Sequence, residues 1–203
     1  MKLFLSALFS LAVFAGIAQP KDAKTKAELD KLSAKLKTLK TVEAKFTLTQ
    51  ESGKKVTKPK TGTLYVQGNK YRLEQGDVVV ISDGATTWNY NREENSVNIS
   101  KVDPKNEGIT PKLLFTNFYE KDFKSESPKA GQIVLEPLDK TKAFSKINLA
   151  LNSADGLIKT ATIEDKGGKK LVITVNDIKK NPTFKDVEFG FDTKKYPGIE
   201  VIK

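Results

Sequence analysis

The chain of 203 residues contains no cysteine and no histidine. Without histidine it lacks the commonest general base and the commonest metal ligand. Without either residue, Ser-His-Asp and Cys-His nucleophilic arrangements are ruled out, and zinc sites lose their usual donors. No disulfide can form, so none stabilises the fold. Arginine is nearly missing: Arg72 and Arg92 stand against a lysine-rich background. Arginine is the usual residue for bidentate recognition of phosphates and bases, so its scarcity argues against a nucleic-acid partner. There is one tryptophan, Trp88.

Long apolar runs are scarce too. Leu3–Ala15 is the longest, preceded by Lys2 and followed by the small residues Gly16-Ile17-Ala18. That pattern predicts a secretory signal over residues 1–18 and a mature domain over 19–203. The run is short for a membrane span. No cysteine stands at the boundary to carry a lipid anchor. The formal net charge is +10, which the lysine-rich composition assigns to a solvated basic surface.

Gly62 to Tyr90, GTLYVQGNKYRLEQGDVVVISDGATTWNY, is the stretch around which the remaining chain is organised. It predicts four short strands, punctuated at Gly68-Asn69, Gln75-Gly76 and Asp83-Gly84. A two-residue turn at Asp83-Gly84 would set Ser82 opposite Ala85 and Val79 opposite Trp88. Val79, Ile81, Trp88 and Tyr90 then share one apolar face, and Val78, Val80, Thr87 and Asn89 the other.

Upstream, Leu29, Leu32, Leu36 and Leu39 recur at helical spacing and predict a helix over 25–40 with one apolar stripe. Residues 43–51 alternate as a strand carrying Ala44, Phe46 and Leu48, and 52–60 form a lysine-rich loop. Downstream, strands are expected over 95–102, 121–127, 131–137, 146–152, 157–165 and 169–180, with a last one carrying Val187, Phe189 and Phe191. Thr110-Pro111 begins a short apolar helix with Leu113, Leu114, Phe115 and Phe118. A further helical turn is expected at 181–185. The pattern predicts a mainly β protein: one antiparallel meander of ten or eleven strands with two or three helices. No glycine cluster has phosphate-loop spacing, and Glu93-Glu94 beside Arg92 reads as a solvated turn. No catalytic residue, metal ligand or cofactor is expected. What remains is apolar surface, which either fills a barrel or holds an apolar ligand.

Several segments in this order resemble a known family. They are F-x-x-x-Q at Phe46 to Gln50, G-x-L-x-V at Gly62, Leu64 and Val66, V-I-S-D-G-x-x-x-W-x-Y at Val80 to Tyr90, and the Thr110-Pro111 to Leu114 segment. Together they resemble the periplasmic outer-membrane lipoprotein carrier family, the Lol-type carriers of Gram-negative bacteria. The resemblance is strongest over 42–118.

The resemblance implies an unclosed antiparallel half-barrel of about 11 strands, with helices covering its mouth. It implies a non-enzymatic periplasmic carrier, expected to be a monomer. Its hydrophobic cavity would take lipoprotein acyl chains from an inner-membrane lipoprotein-releasing ABC transporter and deliver them to an outer-membrane lipoprotein receptor. The alternative is an envelope lipid-binding or sensor module of the same fold with a protein partner. The cavity wall is expected from Leu36, Leu39, Phe46, Leu64, Val66, Tyr71, Leu73, Ile81, Trp88 and Tyr90, with Leu113, Leu114, Phe115 and Phe118 lining or covering it. One departure stands out. Where the family has Arg-Pro after G-x-L-x-V, with the arginine implied to latch the lid, this chain has Gln67-Gly68-Asn69. Arg72 does not occupy the matching place, so that role has no holder here.

Overall fold

The computed structural model describes residues 23–102, 111–115, 122–184 and 189–203. The expected signal at 1–18, Thr110 and Phe118 lie outside them. Helix α1 (Ala23–Lys37) precedes a long strand β1 (Thr41–Ser52) and a short β2 (Lys55–Val56). Then come β3 (Lys60–Gln67), β4 (Lys70–Gln75), β5 (Val78–Ser82), β6 (Thr86–Asn91) and β7 (Ser96–Lys101). A 3-10 turn at Pro111–Phe115 leads toward β8 (Phe123–Glu126), β9 (Gln132–Pro137), β10 (Phe144–Leu151), β11 (Ile158–Asp165) and β12 (Lys170–Lys180). A second 3-10 turn, Thr193–Lys195, precedes β13 (Glu200–Ile202).

All strands belong to one 13-stranded sheet in the order β13-β7-β6-β5-β4-β3-β1-β12-β11-β10-β9-β8, with β2 paired to β1. The sheet is unclosed: its path ends at β13 on one side and β8 on the other. This is the mainly β half-barrel class that the resemblance implied, with three differences.

First, the sheet is two meanders, not one. Strands β3 to β7 extend from β1, β8 to β11 extend from β12, and β1 joins the two by pairing with β12 from Val42↔Lys180 to Glu51↔Lys170. Turn chemistry reports only local pairing, and this pair is separated by most of the chain. Second, one α-helix is present among the described residues, and the Pro111 segment is a 3-10 turn. Helices that short take their form from what they pack against. The turn of helix expected at 181–185 is absent from 181–184; Asn181 instead adopts a left-handed φ of 55°. Third, Phe189–Asp192 is not a strand. The C-terminal segment crosses the sheet's other face and ends as β13, parallel to β7. Strands β2 and β13 carry no alternation signal, being only two and three residues long.

Helix α1 lies on one face of the sheet and is tied at both ends. Ser127 Oγ donates to Glu28 Oε2 at 2.9 Å, and Lys35 Nζ donates to the Asp155 carbonyl. Asn181 staples the helix exit to the end of β12. Its Oδ1 accepts from Lys40 N at 2.7 Å and its Nδ2 donates to the Thr38 carbonyl at 3.2 Å. Asparagine tolerates the left-handed backbone this requires.

Candidate apolar binding site

The helical stripe is the starting point. Leu29, Leu32 and Leu36 are buried, and Leu39 packs beside them, as their spacing requires of one helix face. They meet inward-facing side chains of the sheet. Cross-strand partners share a face, so the pairs Val42↔Val66, Ala44↔Leu64 and Phe46↔Gly62 put β1 and β3 in register. Leu64↔Leu73 and Val66↔Tyr71 extend the same face onto β4. The other meander contributes Ile133, Leu135, Ile147, Leu149, Ala161, Ile163 and Ile173, and Phe123 comes from the edge strand. Leu114 and Phe115 of the first 3-10 turn are buried in the same cluster.

Of the expected wall, the structure brings together Leu36, Leu39, Phe46, Leu64, Val66, Tyr71, Leu73, Leu114 and Phe115. It does not bring Ile81, Trp88 and Tyr90 to them. Leu73 pairs with Val80 and Tyr71 with Ser82, which turns Val79 and Ile81 to the opposite face. There Ile81 faces Trp88 and Val79 faces Tyr90. The expected pairing is off by two residues, because the two-residue turn falls at Gly84-Ala85, one position later than Asp83-Gly84, with Asp83 N donating to the Thr86 carbonyl. An even slip preserves the face, so the four residues do sit together. They form a second cluster with Val97, covered by Phe191, Tyr196 and Ile199. Phe191 and Tyr196 stack at 4.5 Å, and Tyr90 meets them at 5.2 and 4.8 Å. The parity was legible in advance: a two-residue turn at Gln75-Gly76 already puts Leu73 opposite Val78, on the face that excludes Ile81. Leu113 contributes its backbone to the 3-10 turn, and its side chain is outside the described residues, as is Phe118.

The sequence reading missed the β9–β12 half of the inner face. Its strands were recognised, but their alternation does not say which strand lies opposite β1. It also missed Lys112. This lysine is buried, with Nζ 5.1 Å from the centroid of the Tyr71 ring. That cation–π contact joins the 3-10 turn to β4 beside Gln67-Gly68-Asn69, which stands where the family pattern has Arg-Pro.

The inner face is largely apolar, with buried Ser125 beside Leu135 as an exception, and among the described residues α1 and the first 3-10 turn cover it. A cavity of about 280 Å³ lies on the opposite face of β9–β11, between Gln132, Val134, Asn148, Ala150, Thr160 and Thr162. Ile133 and Leu149 also line it, and with a mixed polar and apolar lining and a size at the low end for ligand sites it is unsuited to an acyl chain. Among the described residues no group of three acidic side chains gathers where a metal ion could be held.

An unclosed, mainly β sheet with its apolar face turned onto one helix is a half-barrel. A family model described as outer membrane lipoprotein carrier protein LolA matches residues 37–192, and the chain belongs to that family. A comparison with curated proteins finds no match. Among solved structures, an uncharacterized conserved protein from Thermus thermophilus superposes with a TM-score of 0.51 at 13% identity, over 87% of this chain and 97% of that one. A LolA superfamily protein from Nitrosomonas europaea gives 0.48 at 10% identity, over 82% and 97%. LprF from Mycobacterium bovis gives 0.44 at 10%, over 84% and 99%. At such identity the Thermus likeness bears on the fold and on nothing finer.

Proposed function

We propose that this protein is an exported, periplasmic carrier that shields lipoprotein acyl chains between the inner and outer membranes. The observation that carries the reading is the largely apolar inner face of the sheet, covered among the described residues by α1 and a short 3-10 turn, in a chain of the lipoprotein carrier family. Burying an acyl chain is worth about 0.8 kcal/mol per methylene, so a sixteen-carbon chain left in water costs on the order of 10 kcal/mol. A carrier must remove most of that cost and still release its cargo. A cover whose own apolar side chains fill the site when cargo is absent meets both needs: cargo displaces Leu114 and Phe115, and release lets them return.

In this reading residues 1–18 are the signal, and 19–203 form one carrier domain acting as a monomer. Cargo arrives from an inner-membrane lipoprotein-releasing ABC transporter and leaves to an outer-membrane receptor. The binding residues are Leu36, Leu39, Phe46, Leu64, Val66, Tyr71 and Leu73, with Leu113, Leu114, Phe115 and Phe118 on the cover. Lys112 over Tyr71 holds the cover in place.

The test is co-elution of purified protein with a synthetic triacylated lipopeptide, paired with depletion in cells. Binding that weakens in Leu114→Ser, with lipoproteins accumulating at the inner membrane on depletion, is expected. A folded protein that takes up no lipopeptide yet forms a stable complex with an envelope protein would falsify the carrier reading in favour of a sensor module.

A further inference from the structure

Three lysine-bearing loops meet at one end of the sheet. Strands β3, β1, β12, β11, β10 and β9 are consecutive neighbours. β3 begins at Lys60, β1 ends at Ser52, β12 begins at Lys170, β11 ends at Asp165, β10 begins at Phe144 and β9 ends at Pro137. Antiparallel pairing therefore brings the connections 52–60, 166–169 and 138–143 to one end of the sheet. At ~4.8 Å between strands, this edge is about 25 Å wide. The anchors of α1 at Ser127, Asp155 and Asn181 leave the sheet at the other end.

The first loop exposes Lys54, Lys55, Lys58 and Lys60, the second Lys166 and Lys169, and the third Lys140. Lys166 Nζ donates to the Lys140 carbonyl at 2.7 Å, joining two of the loops. The one acid within the three loops, Asp139, accepts from Thr141 N at 2.8 Å and Thr141 Oγ1 at 2.6 Å. Neighbouring Asp165 is turned onto Gly167 N and Lys169 N, both at 2.8 Å. These carboxylates serve their own loops' backbones. Two large apolar side chains stand among the lysines: Val56, 62% exposed, and Leu138, 61% exposed, more open than any other large hydrophobic residue described.

We infer that this edge docks the protein onto an anionic phospholipid surface, the lysines meeting headgroup phosphates and Val56 and Leu138 entering the interface. Charge alone would fit an acidic protein as well. The two apolar tips beside the lysines favour a membrane, where basic and apolar contacts act together. Such docking is reversible and salt-sensitive, and it stands whether or not the inner face carries an acyl chain.

The experiment is sedimentation of the full mature protein with phosphatidylcholine vesicles, with and without phosphatidylglycerol. Binding to the phosphatidylglycerol vesicles alone, lost toward ~0.5 M salt, is expected. The variant Lys54→Gln/Lys55→Gln/Lys140→Gln/Lys166→Gln should lose at least about tenfold in partitioning. A control with equal charge removed elsewhere, Lys31→Gln/Lys45→Gln/Lys101→Gln/Lys159→Gln, should lose much less. Val56→Ser/Leu138→Ser should weaken binding with its salt dependence unchanged. Circular dichroism checks that each variant is folded. Equal losses in the two lysine variants, or no binding at low salt, overturns the inference. Retention on polyglutamate without vesicle binding also overturns it, and points to an acidic protein instead.

Discussion

The Phe46 ring lies directly over Gly62. A methyl group placed on Gly62 would stand 2.5 Å from Phe46 Cζ and 2.6 Å from the Glu74 carbonyl oxygen. The two residues are cross-strand partners at the centre of the inner face, and the missing side chain is what gives the ring its place. Gly62→Ala should destabilise the protein by about 1–3 kcal/mol in urea unfolding, as overpacking does. Because the carbonyl clash is backbone, adding Phe46→Leu should restore only part of the loss. Full rescue by Phe46→Leu would mean that the ring alone sets the limit.

Lys112 and Tyr71 hold the 3-10 turn against β4. Lys112→Met should weaken that hold by about 0.5–2 kcal/mol. In a stopped-flow assay with a fluorescent fatty-acyl probe, uptake should become faster, while Lys112→Arg should stay near the parent rate. An unchanged uptake rate in Lys112→Met would remove the latch role from this pair.

Trp88 packs in the outer cluster beside the C-terminal segment, away from the inner face. Its fluorescence should therefore report on that segment. Tyr196→Ala removes ring contacts at 4.5 and 4.8 Å. It should shift Trp88 emission and cost about 1–2 kcal/mol, with lipopeptide binding near the parent value. Loss of lipopeptide binding in this variant would place the outer cluster in the site.

Asp155 contributes to the pH dependence. Burial acts to raise its carboxyl, but the Lys180 ammonium at 2.7 Å, the Leu157 N–H and Lys35 outweigh it and leave the group below its ordinary value. A carboxyl lowered in the folded state stabilises above its unfolded value of ~3.9, and that contribution is lost as pH falls through the lower folded value. The urea midpoint should drop between neutral pH and pH ~3, and by less in Asp155→Asn than in the parent. An identical drop in the two proteins would assign the acid sensitivity elsewhere.

Much of the architecture is readable from residue order. The leucine spacing of 29, 32 and 36 places α1, and alternation in KINLALN and LIKTATIED places β10 and β11, because both periods are properties of the local backbone. The chemistry left out is equally local: a chain without histidine and cysteine declares that on sight. Face assignment is not carried by residue order in the same way. Leu64, Val66, Tyr71 and Leu73 fall together as expected, yet Ile81, Trp88 and Tyr90 fall behind them, since one hairpin's parity decides which side every later strand shows.

The amino-acid order by itself determined a mainly β chain with one apolar-striped helix, its strand periods and its missing reactive groups, all set within a few residues of one another. The tertiary structure alone decided the pairing of β1 with β12, which closes the inner apolar face from two separate meanders. It also decided the aromatic cover of the outer face, the seat of Lys112 on Tyr71, and the gathering of three lysine loops at one edge. Each joins residues far apart in the chain, where burial of apolar area and strand register select the partner and no local periodicity records the choice.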